Sequence, residues 1–256
     1  MDILLPTYVP GQYDGYLLMK FTKCFEYQKD FLDGKLFFNT SDFFARCDNE
    51  GQGDHDEGNT FIIDYCNPDL VSGSVEQIDG QLAIVVRDYK DNPQEYKRGT
   101  VWNLSLAENR NRKVISLYTA YIDTKGQAIS PFPKNMGKEF GEYGVLILDR
   151  RAFFERLMNA IEANNELSQA MLGFVEYLQE KHLHGLIDWN PFRKNPKYRY
   201  QNEFRITFLT NNDTPLKLDL GCNLRDIAVP IMANDVDRLY FENGLLNYPL
   251  YEIVET

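Results

Sequence analysis

Apolar and polar positions alternate so as to place short strands toward both ends of the chain and helices between them. Tyr16–Phe21 (YLLMKF) is a short apolar run that predicts a first strand. Phe25, Gln28, Lys29 and Leu32 stand at helical spacing within residues 24–33, and Gly34 is placed to end that helix. Lys35–Thr40 (KLFFNT) predicts a strand, with Ser41 or Asp42 capping a short turn after it. Further strands are predicted at Phe61–Tyr65, Ala83–Tyr89 and Val114–Ile122, the last carrying the β-branched and aromatic run VISLYTAYI. Residues 123–139, with Gly126, Pro131, Pro133 and Gly137, read as a loop. Gly144–Leu148 (GVLIL) reads as a buried strand, and Asp149 caps a helix with Phe153, Phe154, Leu157, Met158 and Ile161 on one face. Asn164 and Asn165 break it, and Leu167, Met171, Leu172, Val175 and Leu178 predict a second helix that ends near His182. Strands return at Phe204–Leu209, Leu216–Leu220 and Ile227–Met232. This order lacks a regular strand–helix alternation and predicts an α+β fold. Residues 1–15, rich in Pro, Gly and Tyr, read as an irregular arm on a single domain spanning 1–256.

Composition narrows the function. The chain has 256 residues and a formal net charge of −11, which excludes a globally basic nucleic-acid coat protein and a polybasic membrane binder but leaves room for a local basic patch. The 16 Tyr and 17 Phe supply a large apolar payload and argue against disorder. No apolar run approaches the ~18 residues of a spanning helix, so no membrane is expected. The opening residues carry Asp2 and no basic run, unlike a secretory leader. Cys24, Cys47, Cys66 and Cys222 form no C-x-x-C pair and read as reduced thiols, so a cytoplasmic protein is expected.

Most candidate chemistry reads as ordinary surface. The acidic stretch 47–60 holds Asp48, Glu50, Asp54, Asp56 and Glu57, oxygen ligands of the kind that hold a hard cation. Their order does not match a calcium loop, and the expectation is a solvated loop; a weaker reading has Asp54 or Glu57 touching a substrate or closing over a site. His182 and His184 lack further ligands at metal spacing and read as a basic helix terminus, so no metal is expected. A nucleophile elbow, a P-loop and a dinucleotide fingerprint in its strand–helix context are all missing.

Residues 192–205 (FRKNPKYRYQNEFR) are the most informative. Arg193, Lys194, Lys197, Arg199 and Arg205 interleave with Tyr198 and Tyr200, a pattern that suits phosphates and stacked bases. Gln201 and Glu203 stand two apart at the entry to a strand, so their side chains project into one space. An amide and a carboxylate there hold a sugar hydroxyl and orient a nucleophile; the plainer reading pairs Glu203 with Arg199 or Arg205.

These pieces in this order resemble the ADP-ribosyltransferases and a related group of bacterial proteins. The resemblance rests on Met19-Lys20-Phe21 closing the first strand and on the strand Gly34–Thr40 (GKLFFNT). It rests also on the acidic loop Asp54–Gly58 and on Lys197–Arg205 (KYRYQNEFR). It implies a split β-sheet with flanking helices and NAD as co-substrate. Glu203 would then hydrogen-bond the nicotinamide ribose and stabilise charge as the glycosidic bond loosens, with Gln201 positioning the acceptor. Lys20 stands at the family's early Arg or His and lacks the bidentate fork for a pyrophosphate. Two stretches stand for the family's Ser-Thr-Ser strand, Asn39-Thr40-Ser41 and Ser116-Leu117-Tyr118-Thr119. Thr40, Ser41, Ser116, Tyr118 and Tyr121 are thus candidate NAD-binding residues, with Tyr118 or Tyr121 stacking on nicotinamide. Tyr198, Arg199, Tyr200 and Arg205 are candidate acceptor-binding residues.

The implied activity is mono-ADP-ribosyl transfer to a macromolecule, RNA or DNA slightly ahead of protein, in a toxin or phage-defence setting with an antitoxin partner. The competing readings are a non-catalytic nucleotide- or protein-binding module on the same fold and, behind it, a metal-dependent nuclease built on the acidic loop. The transferase reading places Glu203 in a concave site facing Lys20 and the Tyr118 strand.

Overall fold

In the computed structural model the described residues are 3–4, 15–47, 53–54, 57, 61–64, 72–78, 81–87, 101–104, 111–123, 125, 128–178, 185–188 and 190–249. Their strands run β1 (Ile3–Leu4), β2 (Gly15–Thr22), β3 (Lys35–Thr40), β4 (Phe61–Asp64), β5 (Ser72–Ile78), β6 (Gln81–Arg87) and β7 (Val101–Leu104). They continue with β8 (Lys113–Asp123), β9 (Ala128–Ile129), β10 (Tyr143–Ile147), β11 (Ser168–Phe174), β12 (Glu176–Tyr177), β13 (Gly185–Asp188) and β14 (Arg193–Lys194). The last are β15 (Glu203–Leu209), β16 (Leu216–Asp219), β17 (Ala228–Met232), β18 (Tyr240–Glu242) and β19 (Leu245–Asn247). α-Helices cover Phe25–Leu32, Ser41–Arg46, Met136–Phe140 and Arg150–Glu162. The architecture is mixed α and β, built on one large, mostly antiparallel sheet with few helices, in agreement with the α+β class.

That sheet has the order β1-β11-β15-β8-β2-β10-β17, with β3 and β9 also pairing β8 and with β16 pairing β3. β8, the longest strand, is its spine. One of its edges pairs with β15 from Lys113 to Tyr118. The other edge is divided: β3 pairs with Lys113 and Val114, and β2 pairs only from Tyr118 onward. Between Val114 and Tyr118 neither neighbour follows, and the sheet opens into a gap at Ser116.

Alternation along the strands sends two sets of side chains to opposite faces. One face buries Leu18, Ile115, Leu117, Val145, Phe204 and Ile206 beneath the Arg150–Glu162 helix. That helix starts where predicted: Asp149 accepts a 3.0 Å bond from Ala152 N, and Phe153, Leu157 and Ile161 are its buried stripe. Phe154 packs 5.4 Å from Phe204. Full burial of each such side chain contributes roughly 1.5–3 kcal/mol. The opposite face buries Leu17, Met19, Phe21, Tyr118 and Ile122 against Met136, Val236 and Leu239.

Several predicted elements differ. The second helix is strand β11. Ala170, Leu172 and Phe174 face the core at period two, a pattern hidden in the sequence by Met171 and Val175. A bulge at Gln169, with φ +48°, shifts the register against β15 and further blurs the alternation. The predicted end at His182, and His184, lie outside the described residues. The short helix Ser41–Arg46 is capped by Thr40 rather than by Ser41 or Asp42, with Phe43 N donating to Thr40 Oγ1 at 3.0 Å. The 123–139 loop contains β9 and the start of the Met136–Phe140 helix. Gly34 ends the first helix as expected, at φ +79°, and a Cβ there would fall 1.9 Å from the Cys222 carbonyl oxygen. Cys24, Cys47 and Cys222 are free thiols.

Candidate functional site

The gap in the sheet is the floor of a cleft of about 490 Å³, lined by the far end of β2, by β3 and by Val114–Tyr118 of β8. Lys20 projects from β2 into the gap, and its Nζ donates a 3.0 Å hydrogen bond to the Ser116 carbonyl, the acceptor the parted strands leave unpaired. Burial lowers the Lys20 pKa to about 8, with the charge of Glu203 opposing the shift.

Glu203 opens β15 directly across from Tyr118. Ser116 Oγ, on the neighbouring strand, donates to Glu203 Oε2 at 3.0 Å. Lys194 Nζ donates to Glu203 Oε1 at 2.6 Å, and Arg205 Nε donates to Glu203 Oε2 at 2.7 Å. The Glu203 backbone N–H donates to the Tyr177 hydroxyl at 2.9 Å. Burial opposes ionisation of Glu203, but the Lys194 ammonium and Arg205 guanidinium hold its carboxyl well below the usual range.

Gln201 reaches the same space by a different route from the one predicted. It ends the 3-10 helix Pro196–Gln201, and Asn202 at φ +40° turns the chain into β15. Lys194 Nζ donates to Gln201 Oε1 at 2.7 Å, so one buried ammonium joins the amide to the carboxylate. Asn195 starts the 3-10 helix by accepting from Lys197 N at 3.2 Å.

The acidic loop is corrected by the structure at two positions. Asp54 and Glu57 are buried beside the cleft rather than solvated. Arg205 Nη1 lies 2.9 Å from Glu57 Oε2, and the Tyr198 hydroxyl donates to the Gly53 carbonyl at 2.8 Å. Arg205 thus holds Glu57 and Glu203 at once. Glu203 has Lys194 as a second counter-charge; for Glu57 burial wins, and its pKa is pushed up to about 7 against the pull of Arg205. Among the described residues, no three His, Cys, Asp or Glu side chains converge as a metal site.

The remaining predicted residues are scattered. Tyr118 borders the cleft, its ring edge-on to Phe132 at 5.2 Å, and burial pushes its hydroxyl up to about 12. Thr40 and Ser41 are buried at the Ser41–Arg46 helix start, outside the cleft lining. Tyr121 also lies outside the lining, its N–H donating to Ser130 Oγ at 2.9 Å. The basic and aromatic run is not an exposed stacking surface. Tyr198 is buried with the Lys194 and Lys197 ammonium groups 4.6 and 4.7 Å from its ring centroid. Arg199 is exposed and donates to the Tyr177 carbonyl at 3.1 Å. Tyr200 donates to Glu139 Oε2 at 2.6 Å. Of the four, only Arg205 lines the cleft.

Tyr177 is a site residue that the spacing did not single out, and Lys194, read as one cation of the basic run, is instead the buried partner of Gln201 and Glu203. β14 pairs in parallel with β12, which turns Arg193 outward toward Glu176 and Lys194 inward. Two-residue strands carry too little periodicity to show this in the sequence.

Chemically, the cleft joins an ionised, rigidly held carboxylate to a serine hydroxyl on the next strand and to cations. Six cationic side chains (Lys20, Lys23, Lys35, Lys194, Arg205 and Lys217) line it against four carboxylates, in a chain of net charge −11. The surplus is positive where the rest of the protein is negative, which favours an anionic ligand. No protein-family model, curated protein or solved structure matches the chain.

Proposed function

We propose that the protein is an NAD-dependent mono-ADP-ribosyltransferase with Glu203 as its catalytic carboxylate. The observation that carries the reading is the Ser116–Glu203 hydrogen bond across adjacent strands, beside the gap where β2 and β3 part and where Lys20 Nζ bonds the Ser116 carbonyl. Such a carboxylate suits a reaction in which positive charge develops on a ribose. The bond between nicotinamide nitrogen and ribose C1′ breaks, its electron pair leaves with neutral nicotinamide, and a nucleophile of the acceptor bonds to C1′ and releases its proton to solvent water. Glu203 faces the developing oxocarbenium charge and accepts a hydrogen bond from a ribose hydroxyl. Ser116 and Arg205 hold the carboxylate in place, and Lys20 meets the pyrophosphate. A cleft of about 490 Å³ is of the size that small-molecule sites occupy.

One observation favours a second reading. Lys194 and Arg205 already engage both oxygens of Glu203, as in a structural strut, which fits a module that binds a nucleotide without turning it over. Labelled NAD incubated with the protein and with RNA, single-stranded DNA or lysate protein separates the two. A transferase labels one fraction and loses at least about a hundredfold in rate on Glu203→Gln while still binding NAD. Binding of NAD with no label transferred and no nicotinamide released from the wild type leaves the binding module.

A further inference from the structure

We propose that the outer wall of this cleft docks single-stranded nucleic acid, and hence that the acceptor is a single-stranded polynucleotide; the second part rests on the transferase reading. Among the described residues the large apolar side chains that stay exposed include Tyr27, Phe37 and Phe43, at 61%, 55% and 46%. All three border the cleft. Leaving three aromatic rings in water around one opening is unfavourable unless something covers them.

Cations are built into the same wall. Lys35 and Phe37 are two apart on β3 and share a face. Lys217 on β16 pairs directly with Phe37 across the ladder, so it stands on that face as well. The two-stranded ribbon therefore presents a ring flanked by ammonium groups toward the opening. Lys217 is ion-paired to Asp30 at 2.6 Å on the neighbouring helix, which holds it beside the wall.

Three exposed rings around one opening, one of them flanked by lysines, in an otherwise acidic protein, suit a polyanion that also offers flat faces. A single strand does both: its phosphates meet the ammonium groups and its unpaired bases stack on the rings. A duplex hides its base faces, and an acidic peptide satisfies the lysines but leaves the rings uncovered.

The test uses the full chain and fluorescein-labelled oligothymidylate and oligouridylate, read by anisotropy at low and moderate salt. The expected result is salt-sensitive binding that weakens at least about tenfold in Phe37→Ser/Phe43→Ser, with the affinity for NAD unchanged in that pair, and that weakens separately in Lys35→Glu. The exposed positions leave the core intact, and the Lys35 variant serves should the aromatic pair fold poorly. No binding by the wild type overturns the proposal, as does equal binding by the variants. So does competition by polyglutamate as strong as that of the unlabelled strand, or a parallel fall in NAD affinity in the aromatic pair, which assigns the rings to the dinucleotide. Wall-dependent strand binding without any NAD cleavage keeps the docking surface and removes the transferase reading. NAD cleavage that depends on Glu203, with no strand bound, does the reverse.

Discussion

Lys20 spans the gap in the main sheet to the carbonyl of Ser116, at 3.0 Å. A side chain thus occupies the hydrogen-bonding position that a neighbouring strand fills elsewhere along β8. The ammonium is charged at neutral pH but held near the edge of ionisation, with a pKa of about 8. Ligand binding should therefore depend on pH in a defined direction. An anionic ligand that contacts Lys20 binds best below pH 8 and loses affinity as the ammonium gives up its proton above it. On the proposed function, titration calorimetry should show Lys20→Met weakening NAD binding by roughly tenfold at pH 7 and scarcely at pH 10, with Lys20→Arg removing the alkaline loss.

Glu57 acts on stability, in a lower pH window. Its pKa is raised from 4.5 to about 7 by burial, so the folded chain keeps a proton that the unfolded chain releases between those values. The unfolded state binds fewer protons there, and this contribution to stability falls as pH rises through the window. Urea denaturation from pH 4.5 to 7.5 should show a slope that flattens in Glu57→Gln. An unchanged slope in that variant assigns the effect to another group.

Thr40 separates a structural role from a binding one. It caps the Ser41–Arg46 helix and does not line the cleft. Thr40→Ala is expected to cost about 1 kcal/mol in denaturant midpoint analysis and to leave NAD affinity unchanged.

Gly34 tolerates no side chain. At φ +79° with the Cys222 carbonyl 1.9 Å from an added Cβ, Gly34→Ala combines a left-handed backbone with a backbone clash. A loss of at least about 2 kcal/mol follows, read as a fall in thermal midpoint.

Tyr177 accepts the Glu203 backbone N–H at 2.9 Å. Tyr177→Phe leaves that donor without its acceptor and should cost about 1–3 kcal/mol. On the proposed transferase function it should also lower turnover more than NAD affinity, because Glu203 loses the anchor of its backbone. Unchanged turnover with lowered stability would reduce Tyr177 to a packing role.

The pattern along the chain was sufficient for the elements with strong local signals. Asp149 before an apolar stripe, Gly34 after a helix, and the β-branched run from Val114 to Ile122 each carry their conformation in their own chemistry. The α+β class followed from the same local readings, whereas Gln201 meets Glu203 through a 3-10 helix and a left-handed turn at Asn202 that strand alternation did not predict. Contacts between distant segments decided the rest. β11 is a strand because the edge of β15 offers a partner to its backbone, and no helical spacing in the sequence records that partner. Lys194 is buried because a two-residue parallel ladder turns it toward Glu203, and Glu57 is buried because Arg205, 148 residues away, holds it there. The cleft itself exists because β2 and β3 part along β8. Strand pairing is a relation between segments far apart in sequence, so local propensity fixes which residues form strands, whereas the gap, and the ions gathered in it, belong to the tertiary structure alone.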